Sequence, residues 1–353
     1  DVMELRKQTD CGMMECKKAL VEADGNFDEA VKLLREKGLQ VADKKAARVA
    51  AEGVVDIAQA DGVTAMVEVN AETDFVANNA TFREFVKQIL ATIIKNKPAD
   101  VAALLATKLD GSEHTVEEEV KDKIFTIGEN ISVRRFVIVE GVTGTYIHGG
   151  GRIGVLVAGT GASDDAAKEA LTNIAMQIAA MNPQYISRAD MADEEVAKLR
   201  EITVDSALND PASLPKPILN KLIEKAVAGV WSAEDVAIYE EKKSNMQYLF
   251  NFLSKEAAAQ LAEIAMADKE TIAADKIFNG LVEGRVSKQL KEICLLDQTY
   301  VKAEDGKQSV AKYLASVNKD LAIKKFVRFE VGEGMEKKNE DFAAEVAAQM
   351  ANA

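Results

Sequence analysis

One strand is written twice in this chain. Ile131-Ser132-Val133-Arg134-Arg135-Phe136-Val137-Ile138-Val139 alternates as a half-buried strand does. Ile323-Lys324-Lys325-Phe326-Val327-Arg328-Phe329-Glu330-Val331-Gly332 follows the same plan: a basic pair, then Phe-Val, then alternation, then Glu and Gly. An apolar hairpin precedes each copy. Residues 54–58 and 65–69 flank Asp61-Gly62, a strong turn pair, and residues 143–148 and 153–158 form the second hairpin. Helical spacing follows, at 81–94, 100–106 and 116–123 in the first copy and at 164–181 in the second. This self-similarity implies a duplicated subdomain of antiparallel sheet and helix, one copy at 53–141 and the other split between 142–190 and 286–334. Glu140-Gly141 and Glu333-Gly334 read as equivalent ends of the two copies.

A helical segment makes the split. Pro211, Pro215 and Pro217 break a helix. Val196, Leu199 and Ile202 precede them at helical spacing. Leu219, Leu222, Ile223 and Val227 follow, and the pattern continues through Val236, Tyr248, Phe252, Leu261 and Ile264. Residues 191–285 therefore read as an all-helical, coiled-coil-like insertion, in which Trp231, Tyr248, Phe250 and Phe252 serve its core or an interface. Residues 1–38 look like three short helices. Met3 and Leu5 belong to the first, and Met13, Cys16 and Leu20 to a second that Gly25 stops. The third is capped by Asn26, presents Phe27, Ala30, Val31 and Leu34 on one face, and ends at Gly38. Residues 42–51, with Lys44, Lys45 and Arg48 on a solvated face, read as a connecting helix that completes a 1–52 module. After residue 335 a charged tether leads to a last short helix with Phe342, Val346 and Met350 in one stripe. The predicted class is α+β.

The stretch with most to offer a partner is Val67-Glu68-Val69-Asn70-Ala71-Glu72-Thr73-Asp74-Phe75-Val76. It starts as a strand and breaks at Glu72-Thr73-Asp74, a group that favours turns and helix starts. Phe75 then stands beside a carboxylate where the chain must turn. It either staples the next helix or is presented to a partner. Met13 and Met14 pose the same choice, between filling a small core and forming a flexible contact surface.

Composition narrows the function. At 353 residues the chain has room for two or three domains, and 48% apolar with 29% charged residues suits a globular protein. A net charge of −14 argues against nucleic acid as a partner. No apolar run reaches the length of a membrane span, so no membrane partner is expected. The opening residues do not read as a signal peptide, and a start at Asp1 reads as trimming of a few initial residues. Three scattered cysteines suit a reducing compartment, and Cys11 and Cys16 read as small buried hydrophobes. Gly149-Gly150-Gly151-Arg152-Ile153-Gly154 spells a dinucleotide motif but lies in a hairpin, and Gly159-Thr160-Gly161 has no lysine nearby and reads as a turn before a helix capped by Ser163. No P-loop occurs. With two histidines only, His114 in a polar loop and His148 at a hairpin tip, a catalytic triad is not expected. No cofactor, metal or covalent chemistry is expected.

Five motifs, in order along most of the chain, resemble the elongation factor Ts family, the exchange factors for the translational GTPase elongation factor Tu. They are Leu5-Arg6-Lys7-Gln8-Thr9-Asp10-Cys11-Gly12-Met13-Met14-Glu15-Cys16-Lys17-Lys18-Ala19-Leu20, the stretch from Val69 to Val76 with its Thr73-Asp74-Phe75-Val76, Ile127-Gly128-Glu129-Asn130-Ile131, His148 with Arg152-Ile153-Gly154-Val155-Leu156, and Phe329-Glu330-Val331-Gly332-Glu333-Gly334 leading to Asp341-Phe342-Ala343-Ala344-Glu345-Val346. The resemblance implies a ubiquitin-associated-like (UBA-like) N-terminal bundle and a cytoplasmic guanine nucleotide exchange factor that displaces Mg²⁺ from elongation factor Tu. Thr73, Asp74, Phe75 and Val76 would act in that displacement, and Met13, Met14, His148, Phe342 and Val346 would touch the partner. A dimer of heterodimers is one form the complex could take. Two other readings rest on less. Residues 1–38 alone would suit a scaffold that binds ubiquitin-like domains without exchange activity. The Gly-rich turn alone would suit a small-molecule enzyme.

Overall fold

The structure, a computed structural model, describes residues 1–336; Phe342, Val346 and Met350 of the expected C-terminal helix lie outside the described residues. Two three-stranded antiparallel sheets carry the repeated strand. The first is β1 (Glu52–Ala60), β2 (Val63–Ala71) and β3 (Ser132–Glu140), with β2 central and buried along its whole length. The second is β4 (Thr143–His148), β5 (Ile153–Thr160) and β6 (Ala322–Glu330), with β5 central. Asp61 and Gly62 turn β1 into β2 with φ of 52° and 75°, as the favoured two-residue hairpin turn requires.

Both sheets share one irregularity. Pairing of β2 with β3 shifts between Glu68 and Val69, which leaves Arg134 as the extra residue. Pairing of β5 with β6 shifts between Ala158 and Gly159, which leaves Lys324 extra. Each is the first residue of the basic pair seen in the sequence. The same register corrects one expectation. Glu140 faces Val63 and Glu330 faces Ile153, so Glu330, not Glu333, is the counterpart of Glu140.

A long helix follows each hairpin. Those helices, α5 (Ala80–Asn96) and α8 (Asp165–Met181), both run 17 residues and end on left-handed caps, Lys97 and Asn182. The cap that starts α8 is Asp164, whose carboxylate accepts from the Ala167 amide at 3.1 Å, rather than Ser163. The connections differ. The α5 cap Asn79 comes eleven positions after Glu68 at the bulge, whereas Asp164 comes six positions after Ala158. The first copy's five extra residues make room for a one-turn helix, α4 (Asp74–Ala77).

One core fills the first copy, where Val67, Val69, Phe82, Phe85, Ile89 and Ile93 pack with Leu104 of α6 (Val101–Leu105) and Ile124 of α7 (Val116–Ile127). A second cluster joins the two sheets through Val55, Met66 and Val139 with Leu156, Ala158, Phe329 and Val331. At its edge Glu68 is fully buried. Its carboxylate accepts from Arg135 Nε at 2.6 Å, Arg134 Nη1 at 3.3 Å, Asn70 Nδ2 at 3.0 Å and the Gly332 amide at 2.9 Å. The Arg135 guanidinium lies 4.2 Å from the centre of the Phe329 ring. A buried carboxylate holds its place only with this many donors.

At the N-terminus α1 (Val2–Thr9), α2 (Met13–Glu22) and α3 (Phe27–Lys45) enclose Leu5, Cys16, Leu20, Ala30 and Leu34. Gly38 does not end the third helix, which runs on to Lys45 and takes up the start of the expected connecting helix. Gly38 serves packing instead: a Cβ there would sit 3.4 Å from Phe125 of α7.

By internal packing the chain divides into Asp1–Asn182 with the chain from Lys312 on, and Pro183–Ala311. The second unit is helical, from α9 (Asp193–Leu208), α10 (Lys216–Val227), α11 (Ala233–Lys242) and α12 (Met246–Phe252) to α13 (Lys255–Ala267), α14 (Lys269–Ala273) and α15 (Lys276–Ile293). Its own core includes Leu208, Leu219, Ile223, Leu261, Phe278 and Val282. Trp231 is buried there and donates to the Ala257 carbonyl at 3.0 Å, while Tyr248 and Phe252 are about half exposed. α16 (Val310–Val317) leads back toward β6. No helix of the described residues is long and apolar enough to cross a membrane.

Candidate functional site

The end of β2 is where side chains are displayed. Thr73 caps α4 with extended backbone, and its hydroxyl accepts from the Val76 amide at 3.4 Å. A four-residue helix cannot hold itself in water. Glu129 does the holding. One oxygen of its carboxylate accepts the Glu72 and Thr73 amides, both at 3.0 Å, and the other accepts the Thr73 hydroxyl at 2.7 Å. Glu72 reciprocates by accepting the Asn130 amide at 2.8 Å, and lies 3.6 Å from Arg48. The Asn130 side chain in turn donates to the Arg48 carbonyl at 2.8 Å. Gly128, left-handed at φ 93°, stops α7 so that Glu129 and Asn130 can reach back.

On this braced turn Ala77 is buried, Val76 is half-buried against the first core, Asp74 is exposed and Phe75 is 85% exposed. The staple reading of Phe75 therefore does not hold, because its ring packs under nothing in the free protein. Such exposure of a large aromatic is unfavourable in water, and burial against a partner would return about 1.5–3 kcal/mol.

The hairpin tip between β4 and β5 stands next to this turn. Residues 149–151 all have positive φ. At Gly151 a Cβ would fall 2.3 Å from Val54 Cγ2, so only glycine lets the tip approach β1. The Gly151 carbonyl accepts the Val55 amide at 2.8 Å. His148 is exposed at the head of the tip, its Nδ1 3.0 Å from the Tyr146 hydroxyl. The dinucleotide spelling is thus a hairpin tip. Arg83, on the first turn of α5, binds both neighbours: Nε donates to the Ala77 carbonyl at 3.0 Å, and Nη2 to Asn78 Oδ1 at 3.3 Å and to the Gly150 carbonyl at 2.7 Å.

Met13 and Met14 open α2 on the N-terminal bundle, 48% and 62% exposed, so they do not fill its core as one expectation had it. Cys11 and Cys16 are buried there, and burial pushes the Cys11 thiol pKa up. Phe342 and Val346 lie outside the described residues. Among the described residues no group of three or more His, Cys, Asp or Glu is placed to hold a metal.

Sequence reasoning singled out Phe75 and His148, both exposed in the structure, but gave no role to Glu129 or Arg83. The Ile127-Gly128-Glu129-Asn130-Ile131 motif was the available signal for Glu129; nothing marked Arg83.

Comparison with known proteins accounts for these motifs together. A family described as elongation factor Ts matches at residues 72–251 and 236–333, and so from the braced turn onward. A protein named elongation factor Ts from Syntrophotalea carbinolica is 40% identical over 356 residues, covering 98% of this chain and 97% of its own. Its namesake from Clostridioides difficile is 41% identical over 357 residues, with 99% and 97% covered, and that from Lacticaseibacillus casei 39% over 353 residues, also 99% and 97%. The class is that of translation elongation factors. Within it the chain belongs to the elongation factor Ts family. Because these alignments run through the helical unit, its length is shared with those relatives and is not peculiar to this chain.

Proposed function

We propose that this protein is a cytoplasmic guanine nucleotide exchange factor for elongation factor Tu. It binds the GDP form, displaces Mg²⁺ and promotes GDP release so that GTP can rebind. No bond is made or broken. The observation that carries the reading is Phe75, an aromatic ring 85% exposed on a turn that the Glu129 carboxylate ties down through two amides and a hydroxyl. Phe75 inserts into the GTPase as a wedge, Asp74 beside it steers the region that holds Mg²⁺, and Thr73 and Val76 fix the turn on which both stand. His148 adds a second contact next to the first. Met13 and Met14 contact the partner from the N-terminal module, 1–52, which is UBA-like on this reading. Phe342 and Val346 complete the partner-binding set.

The energetics require differential binding: the nucleotide-free GTPase must be held more tightly than the GDP form. By linkage, GDP weakens the complex by the same factor. A release about 10⁴ times faster needs about 5.5 kcal/mol off the barrier. Burial of one phenylalanine supplies about 1.5–3 kcal/mol. Loss of Mg²⁺ must therefore supply much of the remainder.

The test is release of labelled GDP from elongation factor Tu, with and without this protein and its Phe75→Ala variant. The protein should accelerate release, and the variant should lose most of that effect while its melting temperature stays close to the parent's, since an exposed ring contributes little to the free fold. No acceleration by the parent would refute the function. A melting temperature that falls by several degrees with exchange per folded molecule intact would refute the wedge.

A further inference from the structure

Two side chains assigned to the partner, Phe75 and His148, come from different copies of the duplicated subdomain. Phe75 sits in the connection after β2, and His148 ends β4. Arg83 hydrogen-bonds both loops. Its guanidinium meets the Ala77 carbonyl at 3.0 Å and Asn78 Oδ1 at 3.3 Å on the exit of α4, and the Gly150 carbonyl at 2.7 Å on the hairpin tip. The other end of the turn is held by Glu129, and the other side of the tip by the Val55 amide on the Gly151 carbonyl. Without Arg83 each loop keeps its other anchors, but this side-chain bond between the two is lost.

We propose that Arg83 is a positioning residue for exchange, which locks the Phe75 turn and the His148 tip into one surface that meets the GTPase as a unit. The inference rests on the exchange reading above. A planar guanidinium can reach three acceptors in fixed directions, which the single ammonium of lysine cannot reproduce. Loops fixed before the encounter lose less freedom on binding, and a small displacement of a wedge is enough to slow what it drives.

Labelled GDP release from elongation factor Tu, measured over a range of full-length protein concentrations, separates the rate at saturation from the half-saturating concentration. Arg83→Ala should lower the saturated rate by about tenfold or more, with little change in melting temperature. Arg83→Lys should restore little of it. In combination with Phe75→Ala, the Arg83→Ala change should add far less than it does alone, because the side chain it positions is then already gone. If the parent accelerates release but the two effects multiply, or Arg83→Lys exchanges at the parental rate, Arg83 acts as an independent charge and the coupling is refuted alone. A parent that does not accelerate release refutes the exchange reading and this inference together.

Discussion

Asp122 shows what the fold does to a single carboxylate. It lies on α7, beside Cys11, Leu34, Arg35 and His114 at the edge of the N-terminal bundle. Burial is the largest influence on it and raises its pKa; Glu119 adds to the rise, and Lys123, Arg35 and His114 oppose it. An acid whose pKa is higher folded than unfolded favours the folded state only when protonated. Its contribution is fully present below the unfolded value and is lost as pH rises through the folded one, so at neutral pH the charged group costs stability. Asp122→Asn should therefore raise the melting temperature at pH 7, by about 2–4 °C for each kcal/mol relieved. The gain should shrink as pH falls and vanish below about 4, the ordinary carboxylate range. Thermal melts followed by circular dichroism at pH 7 and below 4 check the sign. An equal gain at both would point to packing instead of charge. At this scale the sequence was legible in part. The break at Glu72-Thr73-Asp74 located Phe75, yet whether its ring faced in or out depended on Glu129, distant in sequence and unremarkable in type. For Met13 the choice between core and contact surface stayed open, because its spacing to Cys16 and Leu20 fits a helix face; the bundle closes on those two with Leu5, Ala30 and Leu34 and leaves Met13 out.

The turn α4 is an element that cannot stand without its brace. Removing the Glu129 carboxylate leaves the Glu72 and Thr73 amides and the Thr73 hydroxyl without the acceptor that fixes their direction. Water can replace the lost bonds on this half-exposed segment, so the global cost is small, about 1 kcal/mol. The local cost is larger. Glu129→Ala should make the amides of residues 74–78 exchange with solvent at least tenfold faster, and should lower the saturated rate of GDP release with little change in melting temperature. Hydrogen exchange read by mass spectrometry would decide it, and unchanged protection at 74–78 would show that Thr73 alone suffices. Elements with strong local signals were read correctly: the Asp61-Gly62 hairpin, the strand with its basic pair, and the long helices. The miss was α3, because glycine in a helix pattern usually reads as a stop. Here it is a notch for Phe125, a contact from far along the chain that local pattern does not contain.

At the scale of the whole molecule, the helical unit Pro183–Ala311 encloses a core of its own. Expressed alone, it should fold cooperatively, with a single thermal transition by circular dichroism. Replacing it with a short Gly/Ser linker should leave the two-sheet unit folded and able to release GDP. A trimmed protein that folds but is inactive would place part of the exchange surface in the helices. A cut confined to residues 205–270 would fare worse, since it would strand Phe278, Val282 and Val286 without their partners. The proline cluster announced this unit in the sequence, but not its bounds, because helical spacing continues without a break into α15.

The five residues that distinguish the two copies bear on where this architecture tolerates added chain. The two sheets, marked by the same bulge and by helices of the same length, differ in their connections. In the first, the strand-to-helix link carries the short stretch that displays Phe75. In the second, that link is short, and the later link from helix to closing strand carries the helical unit. Both additions lie in connections, outside the ladders that fix each sheet, so a short one and a long one leave the same strand plan intact.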